Sequence, residues 1–443
     1  MKRIAIFCAL LIFLLGCKKK ETYPQLTNKD IQKVLDQMTA YMMHDVTNPP
    51  LAARFYSYAC ISGYTVLALN DKKVVPLKGL LNKFPDIKKP LDSGEYAYQL
   101  SALLAMAETA KKMQPSGKKF ADFEAKLLDS CRKIGFSDDV IAHSQSYAVQ
   151  IAKQVLAYAK KDRYNRISNY PRYTPLVGEG YWYPTPPAFF APVEPYFRTV
   201  RTFIIDTSSQ FIPVRPVPYS KDKNSLFCKM LDSNYVDGGK NLTEDHKKIA
   251  AFWDCNPFAV DTKGHLMLGL KKISPGAHWM GIAGIACQQS KLSFSKTMEV
   301  YSMLTFGLTD SFIGCWDEKY RSNRIRPESA IRKLIDPLWK PFLQTPPFPE
   351  YLSGHSYISS TAATILTYYF GDNYKYTDSV EEKYGVKERS FTSFKQASQE
   401  AAISRYWGGI HFMDSVNNGY TLGADVGNFI VAKLKDHKFK PAE

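Results

Sequence analysis

The chain has 443 residues, of which 45% are hydrophobic and 14% aromatic, so it can fold around a sizeable core as one large or two modest domains. Its formal net charge of +16 favours anionic partners, such as phosphate esters, oxyanions or anionic head groups. Lysines and arginines are scattered rather than collected in one block. Because the N-terminus described next also resembles an export signal, we do not expect the protein to bind nucleic acid.

The N-terminus has the pattern of a bacterial lipoprotein signal. Two basic residues precede an apolar stretch, residues 4–15, that is too short to remain as a spanning helix. Gly16 and Cys17 follow in a segment that resembles a lipobox, where cleavage leaves the cysteine to be acylated. We predict a signal peptide at 1–16 and a lipidated tether at 17–28. The protein is expected in the bacterial cell envelope, anchored to a membrane as a periplasmic or outer-membrane lipoprotein.

Six cysteines follow the tether, and none of them has CxxC spacing, so the sequence offers no support for zinc or redox chemistry. Because an exported protein can form disulfides, Cys228 and Cys255 are the first pair expected to be linked. Cys60 and Cys287 lie in apolar helical patterns that are typical of core residues.

Apolar residues recur at three- and four-residue spacing in the N-terminal third, which predicts helices over 29–44, 52–70, 96–113, 120–134 and 139–161. The next segment, residues 164–219, lacks this period and is rich in proline and aromatic residues, especially at 181–187. We expect it to be a long ordered arm. Its aromatic side chains would either line a substrate entrance or, more commonly, fix the arm to the body.

Helical periodicity returns after the arm and predicts helices over 243–253, 276–288, 295–321, 328–335, 355–369, 391–406 and 414–434. Strand signals are scarce. The sequence therefore predicts an all-α fold, a helical bundle with the irregular arm wrapped over it. We divide the mature chain into an N-terminal helical region with the arm, 29–240, and a helical core that carries the active site, 241–436.

Three short segments in the last third carry groups suited to a tetrahedral anion. In the first, Lys319 and Arg326 are seven residues apart, so a helix through both would direct the two cations to the same side. Pro327 disfavours helix at Arg326 and places this guanidinium at the helix exit. Arginine binds oxyanions in bidentate fashion, and lysine acts as a point charge. By itself, however, a basic helix end is more often solvent-exposed surface than a binding site.

The second segment immediately precedes an apolar helix. Ser353 can cap this helix, Gly354 allows close approach of the backbone to a ligand, and helix N-terminal amides attract anions. His355 enters at the first turn. By itself this segment also fits a well-capped helix with a partly exposed histidine.

The third segment contains Arg405 near the end of a predicted helix, and Gly408 and Gly409 end that helix. The reversal could bring His411 back to the same place as Arg405. A single histidine among apolar neighbours is otherwise more often a hydrogen-bonded core residue.

In this order, Lys-x6-Arg-Pro, Ser-Gly-His and Ser-Arg-x5-His resemble the signature of the phosphatidic acid phosphatase type 2 and vanadium haloperoxidase superfamily. The motif region covers residues 310–423, and 56–69 and 316–320 also read like the soluble bacterial haloperoxidase branch. Integral membrane phosphatases of the superfamily have several spanning helices, which this sequence lacks. The resemblance implies a helical bundle of the acid phosphatase and vanadium haloperoxidase type.

The resemblance also implies roles for the matched residues. The anion, vanadate or phosphate, would be bound by Lys319, Arg326, Ser353, Gly354 and Arg405. His411 would be the axial ligand of vanadate or the phosphatase nucleophile, and His355 the acid–base group on the opposite side. Lys319 would also polarise bound peroxide in a haloperoxidase.

The sequence departs from the family pattern at two positions. Leu352 stands where the family usually has proline, before Ser353. Many relatives have an aspartate four residues after the second histidine, but here Asp414 follows His411 by three residues. One residue is a rotation of about 100 degrees on a helix, so Asp414 is not expected to orient His411 as that aspartate does.

Two enzymatic hypotheses and one non-catalytic hypothesis follow. The first is a vanadate-dependent haloperoxidase that oxidises halide with hydrogen peroxide. The second is an acid phosphatase with no cofactor, which uses a phosphohistidine at His411 and small anionic substrates. The third is an envelope lipoprotein that only binds anions. Among the remaining candidates, His278 and Cys315 are explained by a helix start and by buried packing.

Overall fold

A computed structural model describes residues 23–91, 94–263 and 266–442 of the chain. Its helices are α1 Asn28–His44, α2 Pro49–Asn70, α3 Tyr98–Met113, α4 Phe120–Lys133, α5 Asp138–Lys160, α6 Leu226–Tyr235, α7 Glu244–Phe252, α8 Pro275–Gln289, α9 Phe294–Ser322, α10 Pro327–Leu334, α11 Gly354–Phe370, α12 Phe394–Trp407 and α13 Met413–Asp436. Two antiparallel hairpins pair β1 Val260–Lys263 with β2 Leu266–Gly269 and β3 Tyr376–Asp378 with β4 Arg389–Phe391. The predicted signal peptide and Cys17 lie outside the described residues.

The predicted all-α fold is confirmed, and each helix expected from apolar periodicity is present with small shifts at its ends. Helix α6 was not predicted, because it is short and follows the proline-rich arm. Within the described residues, no helix is long and apolar enough to cross a membrane.

Helix α9 is the central helix of the bundle. Its N-cap Ser293 accepts a hydrogen bond from the amide of Lys296, and 29 residues give it a length of roughly 43 Å. It packs against α1, α2, α8, α11 and α13. Almost all of its residues are buried, because neighbours cover it on every side. It carries Lys319, in its last turn, into the interior of the protein.

Helices α11 and α13 approach each other closely along a glycine-containing face. A Cβ atom on Gly423 would lie 2.1 Å from the carbonyl oxygen of Tyr357, and one on Gly427 would lie 2.6 Å from Cβ of Thr364. Only glycine permits this spacing. The close packing fixes the N-terminus of α11 relative to the loop before α13, and both ends contribute to the site described below.

The predicted arm is irregular and ordered, with 3₁₀ turns at Tyr164–Asn169 and Phe197–Thr199. The carboxylate of Asp310 on α9 accepts hydrogen bonds from three successive arm amides, those of residues 203–205, at 2.6, 2.7 and 2.9 Å. Trp182 is fully buried, and its amide donates to the carbonyl of Asn323 at 2.7 Å. Of the two roles expected for the aromatic residues at 181–187, attachment of the arm to the body is the one observed. None of these residues lines the pocket that the next subsection describes.

Candidate active site

Lys319 is buried at the end of α9 with its ammonium group held by the main chain. Its Nζ donates to the carbonyl oxygens of Pro349 at 3.0 Å, Glu350 at 3.1 Å and Leu352 at 2.5 Å. Burial lowers the pKa of Lys319 to about 7. Three carbonyls position the cation without neutralising it, so it remains available to an anion.

Arg326 lies outside the helix that carries Lys319, where Pro327 predicted it. Helix α9 ends at Ser322, Asn323 adopts a left-handed conformation, and Arg326 is the N-cap of α10 before Pro327. The seven-residue spacing therefore does not act through one helix, because the chain turns between the two cations. The guanidinium donates to the carbonyls of Phe348 at 3.0 Å and Ile410 at 2.9 Å, and burial lowers its pKa to about 10.

Ser353 is the N-cap of α11, as its position in the sequence predicted. Its Oγ accepts hydrogen bonds from the amide of Ser356 at 3.3 Å and from the Ser356 hydroxyl at 2.8 Å. Both contacts use Ser353 as acceptor, so its own hydroxyl proton remains free to be donated. Gly354 is the first helical residue, and its amide has no acceptor within the helix.

His355 follows in the first turn of α11 and lines the pocket. Its Nε2 is buried and has no hydrogen-bond partner among the described residues. Burial lowers the pKa of His355 well below its usual value, and the nearby Arg405 lowers it further. The imidazole is therefore neutral at neutral pH and presents an unpartnered nitrogen.

Arg405 lies in the last turn of α12 and is also buried. Its Nη1 donates to the carbonyl oxygen of Trp253 at 2.6 Å, and its Nη2 lies 3.8 Å from Oδ1 of Asp254. Gly408 ends α12 and Gly409 has a φ of 73 degrees, a conformation that favours glycine. This turn returns the chain so that His411 faces the pocket that Arg405 lines.

His411 is oriented by Glu350, a residue to which the sequence assigned no role. The Nδ1 atom of His411 lies 2.8 Å from Oε1 of Glu350, and its Nε2 lies 3.0 Å from Nη1 of Arg326. Because a carboxylate accepts and a guanidinium donates, the hydrogen bonds assign the proton to Nδ1 and the lone pair to Nε2. Burial and then Arg326 lower the pKa of His411 well below its usual value, so the ring is neutral.

Asp414 does not contact His411, as its displaced position in the sequence predicted. Its carboxylate is held by Nη1 of Arg324 at 2.7 and 2.8 Å and accepts from the amide of Val217 at 3.1 Å. Ser415, four residues after His411, places its Oγ 3.4 Å from Nδ1 of that ring. Glu350 supplies the carboxylate from a separate segment, which no spacing rule on the last motif could reveal.

The geometry fits a tetrahedral oxyanion. Lys319 and Arg326 are 0% exposed and Arg405 is 1% exposed, so three cations meet in an interior region. The buried side-chain nitrogens without a partner in the described part of the chain include Nη2 of Arg326, Nε of Arg405 and Nε2 of His355. The two arginine nitrogens are donors, whose burial without a partner is costly, and an anion with several oxygens would satisfy both. The residues present therefore fit vanadate or phosphate.

The remainder of the pocket is largely apolar. It is lined by Pro49, Pro257, Pro275, Phe312, Trp316, Pro346, Phe348, Ile358 and Ile410 together with polar residues of the site. Cys255 also lines it, whereas Cys315 is buried 3.9 Å from the carbonyl of Leu352. Apolar walls exclude water and strengthen the interactions of the cations with a bound anion.

The six cysteines of the described residues are all free and buried. The expected disulfide between Cys228 and Cys255 is therefore wrong. Sγ of Cys228 lies 3.4 Å from the carbonyl of Ser220, while Sγ of Cys255 faces His278 and Glu381 at 3.3 Å each. The two thiols have separate surroundings, a fact that sequence separation could not indicate.

Comparison with known proteins finds similarity to vanadium-dependent haloperoxidases. The family model of the VCPO second helical-bundle domain matches residues 299–438. A solved bacterial vanadium-dependent iodoperoxidase is 39% identical, with a TM-score of 0.87 over 94% of this chain and 98% of that one. Holo and apo bacterial vanadium-dependent chloroperoxidases are 15% and 16% identical, with TM-scores of 0.67 and 0.65, covering 89% and 88% of this chain and 93% and 94% of theirs. The chloroperoxidases show the shared fold alone, and no curated protein matches the sequence.

Proposed function

Because the chain belongs to the vanadium-dependent haloperoxidase family, we propose that it catalyses the oxidation of iodide by hydrogen peroxide. The balanced reaction takes iodide, hydrogen peroxide and a proton to hypoiodous acid and water. The 39% identity to a bacterial iodoperoxidase, over nearly the full length of both chains, supports iodide as the halide. The chloroperoxidases are much more distant and carry no argument for chloride.

The observation that carries the site assignment is that three buried cations lie at one pocket or directly behind its wall. Arg405 lines the pocket, Arg326 contacts the lining residue His411, and Lys319 lies against the lining residue Gly354. Lys319, Arg326 and Arg405 supply positive charge, with free hydrogen-bond donors on the two arginines. A trianionic or dianionic oxyanion compensates this charge in a region that solvent does not reach. Ser353 and the amide of Gly354 add donors from the N-terminus of α11.

Vanadate, when bound, supplies a Lewis acid that activates peroxide without changing its own oxidation state. Glu350 holds the proton of His411 on Nδ1, so Nε2 carries the lone pair, which accepts from Nη1 of Arg326 in this structure. His411 would hold vanadate through this Nε2. His355 is neutral, so its Nε2 can accept a proton from entering hydrogen peroxide and later return it to a leaving oxygen. Protonated Lys319 places a positive charge beside the reacting oxygens.

The test uses the purified protein lacking residues 1–17, assayed with and without vanadate. We expect peroxide-dependent oxidation of iodide that requires vanadate and is suppressed by excess phosphate, because both anions use the same cations. His411→Ala should abolish this activity, while His44→Ala, at an exposed histidine, should leave it unchanged. Phosphomonoester hydrolysis by the vanadate-free protein, with no iodide oxidation after loading, would instead establish the phosphatase hypothesis. Anion binding without either reaction would establish the binding-protein hypothesis.

Halide choice is measured in the same assay with equal concentrations of iodide, bromide and chloride. We expect the highest kcat/KM with iodide, the most easily oxidised of the three. A higher kcat/KM with bromide or chloride would overturn the choice of halide and leave the family assignment intact.

We also propose that the protein is anchored to the cell envelope through acylated Cys17. The signal-like pattern of residues 1–16 supports this location. Incorporation of labelled palmitate into the wild-type protein, and its loss in Cys17→Ser, is the expected result. Labelling that persists in Cys17→Ser would refute the proposed attachment.

A further inference from the structure

A second group of buried polar side chains lies behind the anion pocket, and the proposed reaction does not use it. Cys255 lies in the loop after α7, His278 near the start of α8, and Asp378 and Glu381 at the end of β3 and beyond it. All four residues are buried. No local spacing reveals this group, because its members come from three separate segments.

Three atoms of different chemistry meet in the centre of this group. Sγ of Cys255 lies 3.3 Å from Nδ1 of His278 and 3.3 Å from Oε1 of Glu381. The same imidazole nitrogen lies 3.1 Å from that carboxylate oxygen. Around a tetrahedral zinc, a sulfur at about 2.3 Å and a nitrogen or oxygen at about 2.0–2.2 Å lie roughly 3.5–3.7 Å apart, and the nitrogen and oxygen lie roughly 3.3–3.5 Å apart. The observed triangle is slightly smaller, so a small outward shift of the three side chains would admit the ion.

The second nitrogen of the histidine is also held. Nε2 of His278 lies 2.8 Å from Oδ2 of Asp378, whose Oδ1 accepts a hydrogen bond from the amide of Val380 at 3.1 Å. Histidines that bind metals commonly donate their other nitrogen to a carboxylate, which orients the ring and increases its basicity. Asp378 is placed to do this for a metal ligand at Nδ1.

We propose that Cys255, His278 and Glu381 bind a zinc ion, with Asp378 as the residue that orients His278. The combination of thiolate, imidazole and carboxylate favours zinc over magnesium or calcium, which prefer oxygen ligands alone. A fourth position is left for water or another small ligand. The metal site adjoins the proposed vanadate site, because Cys255 also lines the anion pocket, but the two sites share no proposed ligand. The zinc proposal does not depend on the proposed iodide oxidation.

Charge balance permits zinc to enter this buried group. Without metal, Nδ1 of His278 faces Glu381 and Nε2 faces Asp378, so both nitrogens carry protons, and the cysteine is a thiol. Zinc replaces two of these protons, the one on Sγ and the one on Nδ1. One divalent cation enters and two protons leave, so the net charge of the group is unchanged.

The proposed zinc would stabilise a loop that the anion site uses. Trp253 and Asp254, which immediately precede Cys255, hold Arg405 through a carbonyl and a carboxylate. The Trp253 ring also stacks on His278, with ring centroids 4.8 Å apart. Fixing Cys255 therefore restrains both partners of Arg405, and we expect phosphate to bind several-fold more tightly to the zinc-loaded protein than to the zinc-free protein.

The experiment uses the vanadate-free protein lacking residues 1–17, stripped of metal by a chelator and then titrated with zinc. We expect about one zinc per chain, measured by mass spectrometry of the metal after gel filtration, and a raised Tm. Calorimetry in buffers of different ionisation enthalpy should report release of about two protons per zinc near neutral pH. Cobalt in place of zinc should give a thiolate-to-metal charge-transfer band in the near ultraviolet.

Matched cysteine variants assign the binding to this group. Cys255→Ser should lose the zinc and the cobalt band, while Cys228→Ser, which alters another buried free thiol, should keep both. Asp378→Asn should weaken zinc binding by about 10- to 100-fold and so tests the site independently if Cys255→Ser fails to fold. Failure of the folded wild-type protein to bind zinc would overturn the proposal, as would equal binding by Cys255→Ser or by Asp378→Asn.

Discussion

Glu350 Oε1 lies 2.8 Å from Nδ1 of His411 and also accepts a hydrogen bond at 3.1 Å from the amide of the next residue, Phe412. The carboxylate is fully buried, and Arg324 lies 3.4 Å from its other oxygen. One side chain thus fixes both the ring of His411 and the backbone that carries it. The tautomer with its proton on Nδ1 and its lone pair on Nε2 follows from this contact.

Replacing Glu350 with glutamine should weaken vanadate binding by about 10- to 100-fold, because an amide can donate to Nδ1 and reverse the tautomer. Vanadate affinity is measured by adding vanadate to the vanadate-free enzyme and following the recovery of activity. Asp414→Asn is the matched control, since Asp414 pairs with Arg324 and does not contact His411. A larger loss in Asp414→Asn than in Glu350→Gln would contradict the assignment of the orienting role to Glu350.

Anion affinity should depend on the protonation of Lys319. Burial lowers its pKa to about 7 in the anion-free protein, with Arg326 lowering it further and Cys315 and Glu350 opposing the shift. An anion binds the protonated form, so affinity is highest below pH 7 and falls above it, by up to about tenfold per pH unit for one linked proton. Sulfate is the suitable probe, because its own charge is constant from pH 6 to 9.

Calorimetric titration of the vanadate-free protein with sulfate at several pH values measures this dependence. Lys319→Met removes the titrating group and should bind sulfate weakly with little change over the same range. An unchanged pH profile in Lys319→Met would show that another group is responsible.

Replacing each histidine of the site with alanine should change vanadate affinity and turnover differently. Nε2 of His355 has no partner among the described residues, and the backbone of Trp253, which His355 also contacts, keeps its hydrogen bond from Arg405. His355→Ala should therefore bind vanadate within about threefold of wild type. Its turnover should fall by about 10²- to 10⁴-fold through loss of acid–base catalysis. His411→Ala should lose vanadate affinity as well. Measured vanadate affinity and kcat for both variants separate the roles, and equal losses of affinity would refute the distinction.

The attachment of the arm should depend on Asp310. An asparagine at this position offers one carbonyl oxygen in place of two carboxylate oxygens, so at least one of the three arm amides meets an NH₂ group. We expect Asp310→Asn to destabilise the protein by about 2–4 kcal/mol, seen as a lowered Tm. Asp206→Asn, an exposed neighbour on the arm, should unfold like the wild type. An unchanged Tm for Asp310→Asn would show that these bonds do not hold the arm.

The sequence by itself determined the helical elements and the family. Apolar periodicity is a local property, so each expected helix could be read from a short window, and the fold class followed from them. The family motifs also identified Gly354, His355, Arg405 and His411, all of which line one pocket in the structure. The residue types and their order in the chain were sufficient to identify the site, because few kinds of side chain can bind an oxyanion.

Tertiary structure alone decided which groups support these residues. Glu350 orients His411 across 61 residues of sequence, and Cys255 meets Glu381 across 126. The two residues of each pair are far apart in the sequence, and each contact forms only when the helices have packed and brought their connecting loops together. For the same reason the sequence could neither exclude a Cys228–Cys255 disulfide nor suggest a zinc site. A side chain's local sequence predicts its secondary structure, but its partner is fixed by the packing of elements that are distant in the chain.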